Sequence, residues 1–79
     1  MKPILFTQPG CQKCDWLKNK IPPDNGIQIL DVTTTDGMAS AAYYELIEKH
    51  TPILVTEDER VIEGSIKIKN ELIKGGHIQ

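Results

Sequence analysis

Apolar residues along this chain come in short runs broken by turn formers, and the period of the runs switches between two and about 3.6. Ile4–Thr7 is a four-residue apolar run that predicts a strand, and Pro9-Gly10 ends it. Residues 14–21 predict a helix, with Trp16, Leu17 and Ile21 at helical spacing and Asp15 where it suits the positive end of the helix dipole. Pro22-Pro23 stops that helix and Asp24-Asn25-Gly26 predicts a turn. Ile27, Ile29 and Val32, with Leu30 between them, predict a second, mostly buried strand. Residues 33–37 predict a loop, with Thr35 or Asp36 capping a helix over 38–50. That helix is expected to bury Ala39, Ala42, Tyr43, Leu46 and Ile47. Thr51-Pro52 breaks the pattern. Two β-rich runs, 53–56 and 60–62, flank Glu57-Asp58-Glu59 and predict a hairpin that ends at Glu63-Gly64. Ser65 is placed to cap a last helix to Lys74, packed through Ile68, Leu72 and Ile73. Gly75-Gly76 stops it and leaves His77-Ile78-Gln79 as a frayed tail.

The order β-α-β-α-β-β-α predicts an α/β domain. Its first β-α-β unit requires parallel strands joined by a right-handed crossover, and the hairpin adds an antiparallel pair. With 79 residues the chain reads as one domain, residues 1–79. A domain of this size buries only about 60% of its unfolded surface, so its stability is expected to be marginal.

Nine basic and eleven acidic residues, a formal net charge of −2, give no sign of nucleic-acid or anionic-membrane binding. The longest apolar runs, such as Ile53-Leu54-Val55, are too short to span a bilayer. No apolar segment of a signal peptide precedes Pro9-Gly10, so a cytoplasmic location is the expectation; the chain is also expected to be a monomer.

The chemistry concentrates in Cys11 and Cys14, the two cysteines of the chain, in Pro9-Gly10-Cys11-Gln12-Lys13-Cys14. They follow the first strand and open the first helix. Backbone N–H groups and the positive dipole end at a helix start favour thiolate over thiol. A disulfide across so short a loop constrains the unfolded chain least, which makes the pair a poor structural staple. In a reducing compartment such a pair is more often catalytic or metal-binding.

Four features together resemble the thioredoxin fold in its smallest form, that of the glutaredoxins and glutaredoxin-like redoxins. They are Cys11-x-x-Cys14 between strand one and helix one, the element order, Thr51-Pro52 opening the third strand, and Gly64 between the hairpin and the last helix. The resemblance covers nearly the whole chain. It implies a four-stranded mixed sheet with helices on both faces and a cis peptide bond at Pro52 beside the cysteines. It implies a dithiol–disulfide oxidoreductase that reduces protein disulfides and holds no cofactor. Cys11 is then the nucleophile and Cys14 the resolving thiol. Thr51 and Pro52 form a ledge that pairs with the docked substrate, and Gln12, Lys13 and Gly64 are further substrate-binding positions.

Two departures bear on the reductant. Gln12-Lys13 replaces the Pro-Tyr common in glutaredoxins and the Gly-Pro of thioredoxins. The glutathione-binding pattern of two glycines, a small residue and Asp before the last helix is Glu63-Gly64-Ser65-Ile66 here, and Gln8 stands where a basic residue is often found. Glutathione and a thioredoxin reductase therefore both stand as reductants. The competing reading is a metal or iron–sulfur module. Zinc in a structural site takes four protein ligands, whereas His50 and His77, the two histidines, match no zinc-finger spacing. Two thiolates from each of two chains would make four ligands. His50 is expected at the end of helix two, Trp16 in the helix–sheet interface, Tyr43 in the core and Tyr44 at the surface. Residues 33–36 are candidates to line a docking groove.

Overall fold

The computed structural model describes residues 2–22 and 26–78. Along them run β1 (Ile4–Thr7), α1 (Gln12–Lys20), β2 (Gln28–Asp31), α2 (Thr35–Tyr43), β3 (Ile53–Val55), β4 (Val61–Glu63) and α3 (Ser65–Lys74). The order is the predicted one. Residues 23–25 and Gln79, on which part of the expected turn and tail rests, lie outside the described residues.

The sheet order is β2-β1-β3-β4. β1 pairs parallel with β2 and antiparallel with β3, and β4 is antiparallel to β3. The two central strands are buried at every position, and apolar at all but Thr7, because both sheet faces are covered. Alternation sends Ile4, Phe6, Ile53 and Val55 to one face, where they pack with Ala41 and Leu46. Leu5 and Leu54 point to the other and pack with Leu17 of α1, Ile68 and Leu72 of α3, and Ile78. The sheet thus lies between α2 on one side and the α1–α3 pair on the other.

Several boundaries move for identifiable reasons. α1 starts at Gln12, ahead of the expected 14, because Cys11 itself caps it. It ends at Lys20, since Ile21 precedes Pro22 and adopts extended backbone. The second strand is not mostly buried: β2 is an edge strand, and Ile29 is 41% exposed.

α2 begins at Thr35 under a Thr34 cap, whose hydroxyl accepts the Gly37 N–H at 3.0 Å, so neither Thr35 nor Asp36 is the cap. The helix stops seven residues before His50. Glu45 takes φ 60°, its N–H bonds the Ala42 carbonyl, and the Leu46 N–H bonds the Ala41 carbonyl at 2.8 Å. These are the paired bonds of a Schellman stop, made without glycine. The stop turns Leu46 back into the core and leaves His50 exposed in a loop. The buried face of α2 is consequently Gly37 and Ala41 with half-buried Ser40 and Tyr44, not the expected one. Tyr43 and Ile47 are outside, and Tyr44 stacks edge-on against Phe6, which reverses the expectation for the two tyrosines.

Gly64, with φ 91°, is the N-cap of α3 and makes no side-chain cap bond, so Ser65 is the first helical residue rather than its cap. Ile68 and Leu72 are buried as expected, whereas Ile73 is 43% exposed. The tail is anchored rather than frayed as far as 78. The His77 N–H bonds the Leu72 carbonyl at 2.9 Å and Ile78 is buried under α1 and α3.

Candidate active site

Strand direction gathers the site. β1 runs toward the cysteines, β3 is antiparallel to it and so starts at that end, and β4 finishes there. Cys11, Thr51-Pro52 and Gly64 therefore converge on one end of the sheet, although Cys11 and Thr51 are forty residues apart in sequence.

Cys11 and Cys14 are joined by a disulfide, with Cα atoms 5.2 Å apart. Cys11 is the N-cap of α1, and its Sγ accepts the Cys14 N–H at 3.1 Å. A sulfur in that position occupies the place of a capping oxygen, facing unsatisfied N–H groups. The two thiols are unequal. Cys11 is half-buried at the rim, whereas Cys14 has 0% exposure, one helical turn inside. Gln12 and Lys13 are exposed in the first turn.

The Thr51–Pro52 peptide bond is cis, as the resemblance implies. The Thr51 carbonyl oxygen lies 3.9 Å from Cys11 Sγ, within reach of a thiol proton in the reduced form. Pro52 is buried, and the Thr51 hydroxyl oxygen is shut off from solvent with no hydrogen-bond partner among the described residues. Gly64 is exposed at the same sheet end. Cys11, Cys14, Thr51 and Pro52 thus come together at that end of the sheet, where Gln12, Lys13 and Gly64 also lie.

Beside Thr51 opens a cavity of about 250 Å³, lined by Gln8, Val32, Met38, Ile47, Lys49 and Thr51 among others. The expected groove residues 33–36 do not line it. Asp31 and Thr34 draw them into a tight turn: the Asp31 carboxylate accepts both the Thr33 N–H at 2.8 Å and the Thr33 hydroxyl at 2.6 Å. Those bonds hold the Asp31 carboxyl below the usual range. Met38 and Ile47 were missed because the pattern gave Ile47 to the core. The early stop of α2 is what exposes it, and no glycine announces that stop. A smaller cavity of about 130 Å³, between Pro3, Arg60 and His77, lies toward the hairpin, away from the cysteines.

Trp16 is not in the helix–sheet interface. It is 38% exposed, with Lys20 Nζ 4.7 Å and Lys69 Nζ 6.0 Å from the ring centroid. No group of three or more His, Cys, Asp or Glu side chains comes together as a metal site among the described residues. No helix among them is long and apolar enough to cross a membrane.

Two solved structures of the thioredoxin-like protein BC3987 superpose on nearly the whole chain. A mutant form matches with a TM-score of 0.62 and 23% identity, over 91% of this chain and 99% of that one. A second structure of BC3987 gives 0.59 and 26% identity, over 90% and 99%. The fold is thioredoxin-like. No protein-family model matches the chain, and no curated protein matches it in sequence. In this thioredoxin-like frame the Cys11–Cys14 pair fits a redox role.

Proposed function

We propose that this thioredoxin-like chain is a dithiol–disulfide oxidoreductase that reduces protein disulfides. The observation that carries the reading is the asymmetry of the pair. One sulfur is at the rim, holding a helix-start N–H, and the other is fully buried behind it. N–H groups and the positive dipole end at a helix start favour thiolate over thiol, which makes Cys11 the attacking sulfur. Cys11 attacks one sulfur of the substrate disulfide, and the other leaves as a thiolate that takes a proton. Cys14 loses its proton and attacks Cys11 Sγ. The second substrate thiol is released and the Cys11–Cys14 disulfide closes. Two electrons have passed to the substrate, and an external dithiol or thiol must restore them.

The Thr51 backbone and Pro52 form the ledge against which the substrate strand lies, with Gln12, Lys13 and Gly64 bordering it. Glutathione and a thioredoxin reductase are the two candidate reductants. The single glycine of Glu63-Gly64-Ser65-Ile66 gives neither a decisive advantage. The reading implies work in a reducing compartment such as the cytosol.

Insulin disulfide reduction, coupled in turn to NADPH with thioredoxin reductase and to glutathione with its reductase, tests the proposal. Turnover with one system, its loss in Cys11→Ser and a trapped mixed disulfide in Cys14→Ser are expected. Failure in both systems, together with failure of the dithiothreitol-reduced protein to reduce insulin, would end the redox reading.

A further inference from the structure

The formal net charge of −2 conceals a division. α1 and α3 carry Lys13, Lys18, Lys20, Lys67, Lys69 and Lys74 against Asp15 and Glu71, six positive charges to two negative. The rest of the chain has three basic residues against nine acidic. One layer is thus +4 and the remainder −6. Both carboxylates of the basic layer are engaged: Asp15 by Lys18 at 3.5 Å and Glu71 by Arg60 at 3.0 Å. Among the described residues the other five lysines make no ion pair. Helices of nine and ten residues are only about 15 Å long, shorter than the Debye length of about 30 Å at 0.01 M salt, so at low salt these charges act together on anything that docks.

The two helices also share a centre. Lys20 of α1 and Lys69 of α3 approach the same Trp16 ring, and Ile66 and Ile73 are exposed on α3. Tryptophan is enriched among interface anchors and charged side chains belong to the polar rim, so the exposed Trp16 ring reads as an anchor and the lysines around it as its rim. Its place matters: α1 opens at Cys11, and Lys13 lies between the cysteines.

We propose that the α1–α3 face, centred on Trp16, Lys20 and Lys69, docks an acidic surface of the protein with which Cys11 exchanges disulfides. This rests on the redox reading above. The acidic remainder repels the same partner, so the charge division orients it with its disulfide toward Cys11.

The test uses two synthetic peptides, each closed by one disulfide and identical except that the flanking positions are Glu in one and Lys in the other. Protein reduced with dithiothreitol and desalted is mixed with each in a single turnover. The protein dithiol becomes the disulfide and the peptide disulfide becomes two thiols, so electrons and protons balance. The Glu peptide is expected to react on the order of tenfold faster at about 20 mM salt, and the ratio to fall toward one at about 0.5 M. Lys20→Glu with Lys69→Glu should bring the ratio to one or below, and the milder pair Lys20→Gln with Lys69→Gln to an intermediate value. Because the ratio is taken within one protein, a general loss of activity cancels. A ratio of one at low salt, or a ratio that the Gln pair leaves unchanged, overturns the docking face. So does salt-sensitive self-association in sedimentation, which gives the face to a second copy, or DNA binding lost in the same variants. If neither peptide is reduced by protein with two titratable thiols, it is the redox reading that fails.

Discussion

Replacing Thr51 by valine should make the protein more stable and leave its activity nearly unchanged. The Thr51 hydroxyl oxygen is excluded from solvent and has no hydrogen-bond partner among the described residues. A buried polar group left unsatisfied costs about 1–3 kcal/mol. Valine keeps the branched shape and exchanges the hydroxyl for a methyl against a cavity wall that includes Val32 and Ile53. The gain should be about 1–2 kcal/mol, where a chain of this length has roughly 4–12 kcal/mol in all. In urea unfolding the midpoint should rise with an unchanged slope, and the melting temperature should rise about 4–8 °C per kcal/mol. Thr51 also borders Cys11, with its carbonyl 3.9 Å from Sγ. The hydroxyl itself is closed to solvent, so a docked substrate meets the Thr51 backbone instead, and kcat/KM for protein disulfides should change less than about twofold. A valine variant no more stable than its parent would show that the hydroxyl already has a partner, and the reasoning would collapse.

Three further substitutions test the frame. Gly37→Ala should destabilise by about 1–3 kcal/mol, although alanine is the better helix former by about 1 kcal/mol. A Cβ there would overlap the Asp31 carbonyl oxygen and lie 2.6 Å from its carbon, so a melting temperature at or above the parent's would refute the close approach. Glu45→Gly should stabilise by up to about 1 kcal/mol, because Glu45 holds φ 60° at the end of α2, and a drop in the urea midpoint would contradict this. Asp58 accepts from the Thr56 hydroxyl and from Arg60, which hold its carboxyl below the ordinary value. Its folded pKa lies below the unfolded one of about 3.9, so its contribution is present above that value and is lost as pH falls through the lower one. The stability difference between the parent and Asp58→Asn should therefore shrink under acid, and a difference that grows would reverse the assignment.

The strands were legible because apolar runs and turn formers delimit them: Ile4–Thr7 matches to the residue. Cys11, Cys14 and Thr51-Pro52 were legible because their residue types carry the chemistry. What escaped depends on long-range packing. The Schellman stop at Glu45 has no glycine to announce it, and the helical pattern runs straight through it to Ile47. The two-residue offset of the α2 face follows from where Gly37 lets the helix touch Asp31, a contact between elements. Trp16 looks like core by type, and only the packing of α1 beside α3 shows that its ring meets two lysines at the surface. Charge totals likewise hide a division that appears once the helices share a layer.

Position in the sheet explains why the reactive groups are where they are. In the central strands β1 and β3, ladder hydrogen bonds on both sides consume the backbone polar groups, and the apolar side chains are buried in one cluster or the other. Along these two strands, polar groups are left free at the ends. The start of α1 leaves N–H groups that the Cys11 sulfur meets, and the residues just before β3 leave the Thr51 hydroxyl unpaired. Since β1 and β3 are antiparallel, the end of one and the start of the other fall together, and a carbonyl forty residues away reaches the sulfur. The same directions start α3 at that end, after β4. Both helices of the basic layer therefore set out from the sheet end that carries Cys11, and under the proposed docking a partner steered by their lysines is led toward that sulfur.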